Sequence, residues 1–176
     1  MSPSAPRVAF ATAAEDGVAL GDPTGAHVLL TPDAIVHRRG GAVRIELDWR
    51  DVEALEVDAS ASRSRRPGGL AVLIGAAAAS IGLDWGPGTA PVTVTVEDRD
   101  GSIDLACDGF IGHGYWAPHL VAVQAAAHAL VEHPRTRAVL ERPAAAVRDL
   151  GDAAGDAPGD VRRALVGRWG DVCRCP

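Results

Sequence analysis

Residues 27–58 read HVLLTPDAIVHRRGGAVRIELDWRDVEALEVD, and this stretch decides the fold. Within it, apolar residues alternate with charged ones at four positions: Val43, Ile45, Leu47 and Trp49. A period of two is typical of a β-strand with one buried face, so these side chains are predicted to share the core face. Trp49 is predicted to anchor that face, because burying its aromatic side chain removes more apolar surface from water than burying any other apolar side chain of the strand.

Turn signals on both sides of this strand predict an antiparallel meander. Gly40-Gly41 permits the positive φ angles of a two-residue hairpin. Thr31-Pro32-Asp33 is a turn with proline at its second position. After Trp49 the apolar residues fall one position out of alternation, which requires a bulge or a sharp bend at Arg50-Asp51.

A second hairpin is predicted further along the chain. Residues 92–97 alternate valine with polar side chains, and Ile103, Leu105 and Cys107 return on the same face after a turn at 98–101. The segment between the two hairpins contains an apolar run, 70–83, whose spacing fits a helix or a strand equally well. Its conformation stays open at this point.

Near Trp116 the spacing of apolar residues changes from the two-residue period of a strand to that of a helix. Leu120 and Val123 are predicted to lie on the face that packs against the sheet, and His133-Pro134 ends the helix. The domain is predicted to span residues 8–133. Three further pieces follow it: a weak helical extension at 134–150, a linker at 151–160 and a short amphipathic tail helix at 161–176.

Three segments carry a resemblance to a known family: TPDAIVHRRGGAVRIELDWRDVEALEVD, VTVTVEDRDGSIDL and GYWAPHLVAVQAAAHALVEH. They resemble small pleckstrin-homology-like (PH-like) domains of actinobacteria. The resemblance implies an α+β, mainly β fold, in which an antiparallel meander or barrel is capped by one C-terminal amphipathic helix. A bias towards Ala, Gly and Asp, with no lysine, agrees with a GC-rich actinobacterial genome.

Composition sets limits on location and partners. The chain has 176 residues and a net charge of −6, which argues against general nucleic-acid binding. Three cysteines, Cys107, Cys173 and Cys175, give no disulfide framework and fit a reducing compartment. The run at 70–83 is shorter than the roughly 20 residues that a membrane helix needs. We therefore expect a cytoplasmic protein without a signal peptide or a transmembrane segment.

The sequence offers little catalytic chemistry. No pair of its six histidines has the i, i+4 spacing that would face one ion on a helix, and no metal or cofactor is predicted. An enzyme would have to use Cys107 with His113 and either Asp104 or Asp108. Cys107 sits among the inward residues of a predicted strand, where cysteine usually acts as a small apolar side chain.

The favoured function is therefore a non-catalytic module that binds a protein or a peptide, with an exposed sheet edge as the acceptor. A second hypothesis is peripheral membrane binding through residues 63–83, where Arg63, Arg65 and Arg66 would contact an anionic surface. Leu165 and Trp169 of the tail helix are candidate contacts for a partner. The tail could equally dock on its own domain, because a helix this short is marginal alone in water.

Overall fold

The computed structural model describes residues 5–62, 91–110 and 114–172. Its strands, in chain order, are β1 (Arg7–Val8), β2 (Ala11–Ala13), β3 (Val18–Gly21), β4 (Ala26–Leu30), β5 (Ala34–Arg39), β6 (Ala42–Asp48), β7 (Val52–Ala59), β8 (Ala61–Ser62), β9 (Val92–Asp98), β10 (Gly101–Cys107) and β11 (Tyr115–Trp116). Its helices are α1 (Ala117–Glu132), a 3₁₀ helix (Pro134–Glu141), α2 (Pro143–Ala153) and α3 (Val161–Val172). The α+β class with mainly antiparallel sheets is confirmed.

Strands β1 to β6 form a single sheet in which each strand pairs antiparallel with the next one. Gly40 and Gly41 form the two-residue turn between β5 and β6, with φ angles of 58° and 79°. Arg39 and Ala42 close that turn as a cross-strand pair. The predicted hairpin is confirmed, since both of its turn residues adopt the left-handed conformation that glycine permits.

A bulge changes the face that Val43 presents. The ladder between β5 and β6 pairs His37 with Ile45 and then Arg38 with Val43, so Arg44 has no counterpart on β5. The extra residue reverses the inward and outward alternation of β6. Val43 is consequently 51% exposed, and its predicted place on the core face is wrong. Ile45 and Leu47 are half-buried and pack against the core.

The chain leaves the first sheet at a tight turn after β6. Asp48 holds this turn, because its carbonyl accepts from the Asp51 N–H at 3.0 Å and its carboxylate from the Arg50 N–H at 2.9 Å. Trp49 is 2% exposed, and its indole Nε1 donates to the Thr31 carbonyl at 2.8 Å. The predicted bend and the predicted burial of Trp49 are both confirmed.

Strand β7 belongs to a second sheet, whose order is β10-β9-β7. The predicted hairpin of β9 and β10 is present, and the Asp98 carboxylate accepts from the backbone N–H groups of Asp100 and Gly101. The two sheets meet where the Asp108 N–H donates to the Ala26 carbonyl at 2.7 Å. Among the described strands they do not close into a barrel.

Helix α1 covers the inner face of the sheets and packs along β7. It begins after Trp116 with Pro118 in its first turn and ends at Glu132, as predicted. Val123 is buried and Leu120 is half-buried. The 3₁₀ helix turns the chain back, and the Thr136 hydroxyl secures it by donating to the carbonyls of Ala129 and His133.

The sequence predicted a sheet capped by a single helix. In the structure, residues beyond α1 cover the sheet as well. Helix α2 packs on β1 and β2, and α3 packs on α1 and the 3₁₀ helix. Leu165 is 0% exposed and Trp169 is 2% exposed, within the same core cluster as Trp49. The suggestion that Leu165 and Trp169 contact a partner is wrong, because the core of this chain already covers both side chains.

The docked tail predicts a large loss of stability when its anchor is removed. Trp169 fills the core and its Nε1 donates to the Asp149 carboxylate at 3.0 Å. We expect Trp169→Ala to lower the free energy of unfolding by about 3–5 kcal/mol, measured by urea denaturation followed by circular dichroism. Arg163→Ala on the same helix removes an exposed ion pair with Asp160 and should change it by less than about 0.5 kcal/mol. Equal, small effects of the two substitutions would contradict docking.

Candidate functional site

Among the described strands, β7 is a terminal strand of the second sheet, in the order β10-β9-β7, and its outer edge faces α1. Gln124 on α1 reaches this edge. Its side-chain oxygen accepts from the Val57 N–H at 2.7 Å, and its side-chain nitrogen donates to the Leu55 carbonyl at 3.4 Å. One amide therefore makes the pair of hydrogen bonds that a neighbouring strand would make. We call this arrangement the Gln124 bracket.

His128 lies one turn after Gln124 on the same helix and completes the bracket. Its Nε2 is 2.8 Å from the side-chain nitrogen of Gln124. The i, i+4 spacing places the two side chains on one helix face. The bracket thus joins a strand edge, an amide and an imidazole in a single line of hydrogen bonds.

A groove of about 550 Å³ opens beside the bracket, between β7, α1 and the turn before α3. Its walls include six residues: Val57, Asp58, Val121, Gln124, His128 and Arg162. Val121 is 37% exposed, and among the described residues it and Val43 are the exposed large apolar side chains. The groove thus offers an apolar wall next to backbone groups at a strand edge, which are the two elements that a bound peptide strand uses.

Arg162 forms the polar end of this groove. Its NH1 lies 2.9 Å and 3.1 Å from the two carboxylate oxygens of Glu132 on α1. Both side chains are about half exposed, so the ion pair orients the guanidinium more than it stabilises the fold. The contact connects α3 to α1 at the rim of the groove.

A second groove, of about 440 Å³, lies on the outer face of the first sheet. Val43 and Arg38 line it together with five carboxylates, those of Glu15, Asp16, Asp33, Glu46 and Glu141. It shares no residue with the groove beside β7. Val43 is therefore the matched exposed valine for testing Val121.

Three of the residues that an enzyme would use, Cys107, Asp104 and Asp108, are buried or hydrogen-bonded within the fold. Burial, with a smaller contribution from Asp108, raises the pKa of the Cys107 thiol to about 12. The Asp108 carboxylate accepts from the Ala26 N–H at 2.7 Å, and the Asp104 carboxylate accepts from the Thr95 hydroxyl at 2.8 Å. A thiol in this environment is held in its un-ionised and therefore unreactive form. His113 lies outside the described residues.

Several other positions predicted from the sequence fall outside the described ranges. They are Arg63, Arg65, Arg66, the run at 70–83, Cys173 and Cys175. Within the described part, no three His, Cys, Asp or Glu side chains are placed to hold one metal ion. No helix in that part is both long and apolar enough to cross a membrane.

Comparison of the chain with models of protein families, with curated proteins and with solved structures found no match. The described residues form an α+β protein of two antiparallel sheets and a short parallel pair, β8 with β11, covered by helices.

Sequence reasoning expected an acceptor at a sheet edge but did not identify Val121, Gln124 or His128. The sequence did contain one indication of Gln124 and His128. In the alanine-rich stretch of α1, Gln124 and His128 are polar residues at i, i+4 spacing, on a helix predicted to pack against the sheet. Which strand they would meet depends on tertiary placement, and the spacing alone does not contain it.

The buried thiol predicts slow alkylation. Because the pKa of Cys107 rises from an ordinary 9.0 to about 12, its thiolate fraction at neutral pH falls by roughly a thousandfold. In a Cys173→Ser, Cys175→Ser variant, we expect iodoacetamide to modify Cys107 at least a hundredfold more slowly than free cysteine. Urea should restore the ordinary rate. Modification of the folded protein at the rate of free cysteine would contradict the assignment.

Proposed function

We propose that this chain is a non-catalytic binding module that holds an extended peptide segment of another protein in the groove between β7 and α1. The observation that carries the proposal is the Gln124 bracket. Val57 N–H and the Leu55 carbonyl already make an inter-strand pattern of hydrogen bonds with a side-chain amide. A peptide backbone presents the same donor and acceptor, so it can replace that amide.

The proposed peptide adds one strand to the second sheet. Its backbone pairs with the edge of β7 from Leu55 towards Ala59, and its side chains alternate between the groove and solvent. Val121 and Leu120 supply an apolar wall for the inward side chains, while Asp58 and Arg162 supply polar contacts at the rim. Backbone bonds give affinity in this mode, and the wall selects the side chains.

The resemblance to PH-like domains agrees with this proposal. A meander, a second hairpin and an amphipathic helix follow one another in the order that the resemblance implies. We propose that the chain is a PH-like protein in which α2 and α3 extend the cover of the sheet beyond α1. The groove then lies where the helix that follows the strands meets a sheet edge.

Two alternatives receive less support. Membrane attachment depends on Arg63, Arg65 and Arg66, whose surroundings are outside the described residues, and the net charge of −6 opposes attraction to an anionic surface. Catalysis through Cys107 would need a thiolate that burial disfavours. The peptide module is the function for which donors, acceptors and an apolar wall lie together.

Selection from a displayed library of random peptides tests the proposal. Enriched peptides should perturb the amide resonances of residues 55–59 on titration into ¹⁵N-labelled protein. Val121→Glu should weaken their binding at least tenfold, because it places a charge against the apolar wall. Val43→Glu, at the exposed valine of the other groove, should leave the dissociation constant within about twofold.

Three results would refute peptide binding at this groove. The first is the absence of any enriched peptide. The second is an equal loss of affinity for Val121→Glu and Val43→Glu, and the third is perturbation confined to residues away from β7. Circular dichroism of both variants serves as the control that each one is folded.

A further inference from the structure

The hydrogen-bond roles in the bracket are determined by the backbone. A backbone N–H can only donate, so the Gln124 atom 2.7 Å from the nitrogen of Val57 is the side-chain oxygen. The NH₂ group therefore faces the other way. It has two hydrogens, and its two neighbours are the Leu55 carbonyl at 3.4 Å and His128 Nε2 at 2.8 Å.

It follows that His128 Nε2 is an acceptor in the closed bracket. An NH₂ group cannot accept a hydrogen bond, so the imidazole must present a lone pair at Nε2 and carry its proton on Nδ1. The closed bracket therefore requires neutral His128. Of the two contacts that hold the NH₂ group of Gln124, the one with His128 is shorter than the one with Leu55.

We infer that protonation of His128 opens the Gln124 bracket and frees the edge of β7 for a ligand. An imidazolium places an N–H opposite the NH₂ of Gln124, so the 2.8 Å contact becomes donor against donor. Rotating the amide by 180° would satisfy His128 but would place NH₂ against the Val57 N–H. No orientation of the amide satisfies the Val57 N–H, the Leu55 carbonyl and an imidazolium together.

Charged groups on the surrounding elements permit this switch. They are Asp58 on β7, Glu132 one turn further along α1, and Arg162 on α3. Arg162 and Glu132 form an ion pair, so an imidazolium at His128 meets no net positive charge from these three groups. The groove beside His128 is open, which gives the ring access to solvent protons.

The inference specifies regulation of the proposed peptide site and rests on that function only for its effect on the ligand. While His128 is neutral, Gln124 competes with the peptide for the Val57 N–H. When His128 is protonated the competitor is released, so the same peptide should bind more tightly. Opening of the bracket can be measured with no peptide present.

Amide hydrogen exchange at Val57 is the direct test. Its protection factor, the ratio of intrinsic to observed exchange rates at each pH, should fall about tenfold between about pH 8 and about pH 5. Val94 in the central strand of the same sheet should keep its protection factor within twofold. Circular dichroism at both pH values checks that the protein stays folded.

Three variants separate the bracket from a general effect of acid. His128→Gln keeps an acceptor oxygen but does not titrate, so the protection factor of Val57 should not change with pH. Gln124→Glu should remove the loss of protection in acid, because a carboxylate accepts from the Val57 N–H and from an imidazolium at once. His133→Ala removes an exposed histidine outside the bracket and should respond like the unaltered protein.

Each outcome bears on one of the two ideas. A Val57 protection factor that does not change with pH, or that changes equally in His128→Gln, overturns the switch and leaves peptide binding standing. A normal switch with no peptide bound at either pH refutes the proposed function and retains the switch. If both hold, the selected peptide should bind about tenfold more tightly at pH 5 than at pH 8, and His128→Gln should abolish the difference.

Discussion

The turn at Asp48–Val52 is the constraint on which the rest of the structure depends. Here the chain leaves a six-stranded sheet and starts a second one, so every later element is placed relative to this corner. Trp49 holds the corner by filling the core and bonding to Thr31. The guanidinium carbon of Arg137 lies 4.9 Å from the centre of its ring, which joins the 3₁₀ helix to the same point. One aromatic residue thus links both sheets to the helical cover.

The change of sheet also creates the edge from which the proposed function arises. A terminal strand exposes backbone groups that invite pairing with another chain, and proteins usually protect such edges. Within the described residues, the group that bonds to this edge at Leu55 and Val57 is the side-chain amide of Gln124 and not a further strand. Such a cover is easier to displace than a paired strand. The same feature that keeps the edge from indiscriminate pairing leaves it available to a peptide in our proposal.

Features set by neighbouring residues could be predicted from the sequence, while those set by distant ones could not. The turn at Gly40-Gly41 depends on local φ preferences, and the burial of Trp49 on a local period. The prediction placed Val43 on the wrong face. The bulge at Arg44 arises from pairing with β5 and does not disturb the alternation of apolar and charged residues in the sequence. Docking of Trp169 and the partner of Gln124 depend on which surfaces meet after folding, and that information is spread over the whole chain.

The contact of α2 with the first two strands has a consequence for synthesis. Helix α2 packs on β1 and β2, and a Cβ atom at Gly151 would lie 3.3 Å from Val8. A ribosome adds about 5–20 residues each second, so roughly 5–20 s separate Asp48 at the end of the meander from Pro143 at the start of α2. During that interval the first sheet has strands but not yet its cover. The packing of α2 on β1 and β2 can therefore form only well after the strands of the meander have been made.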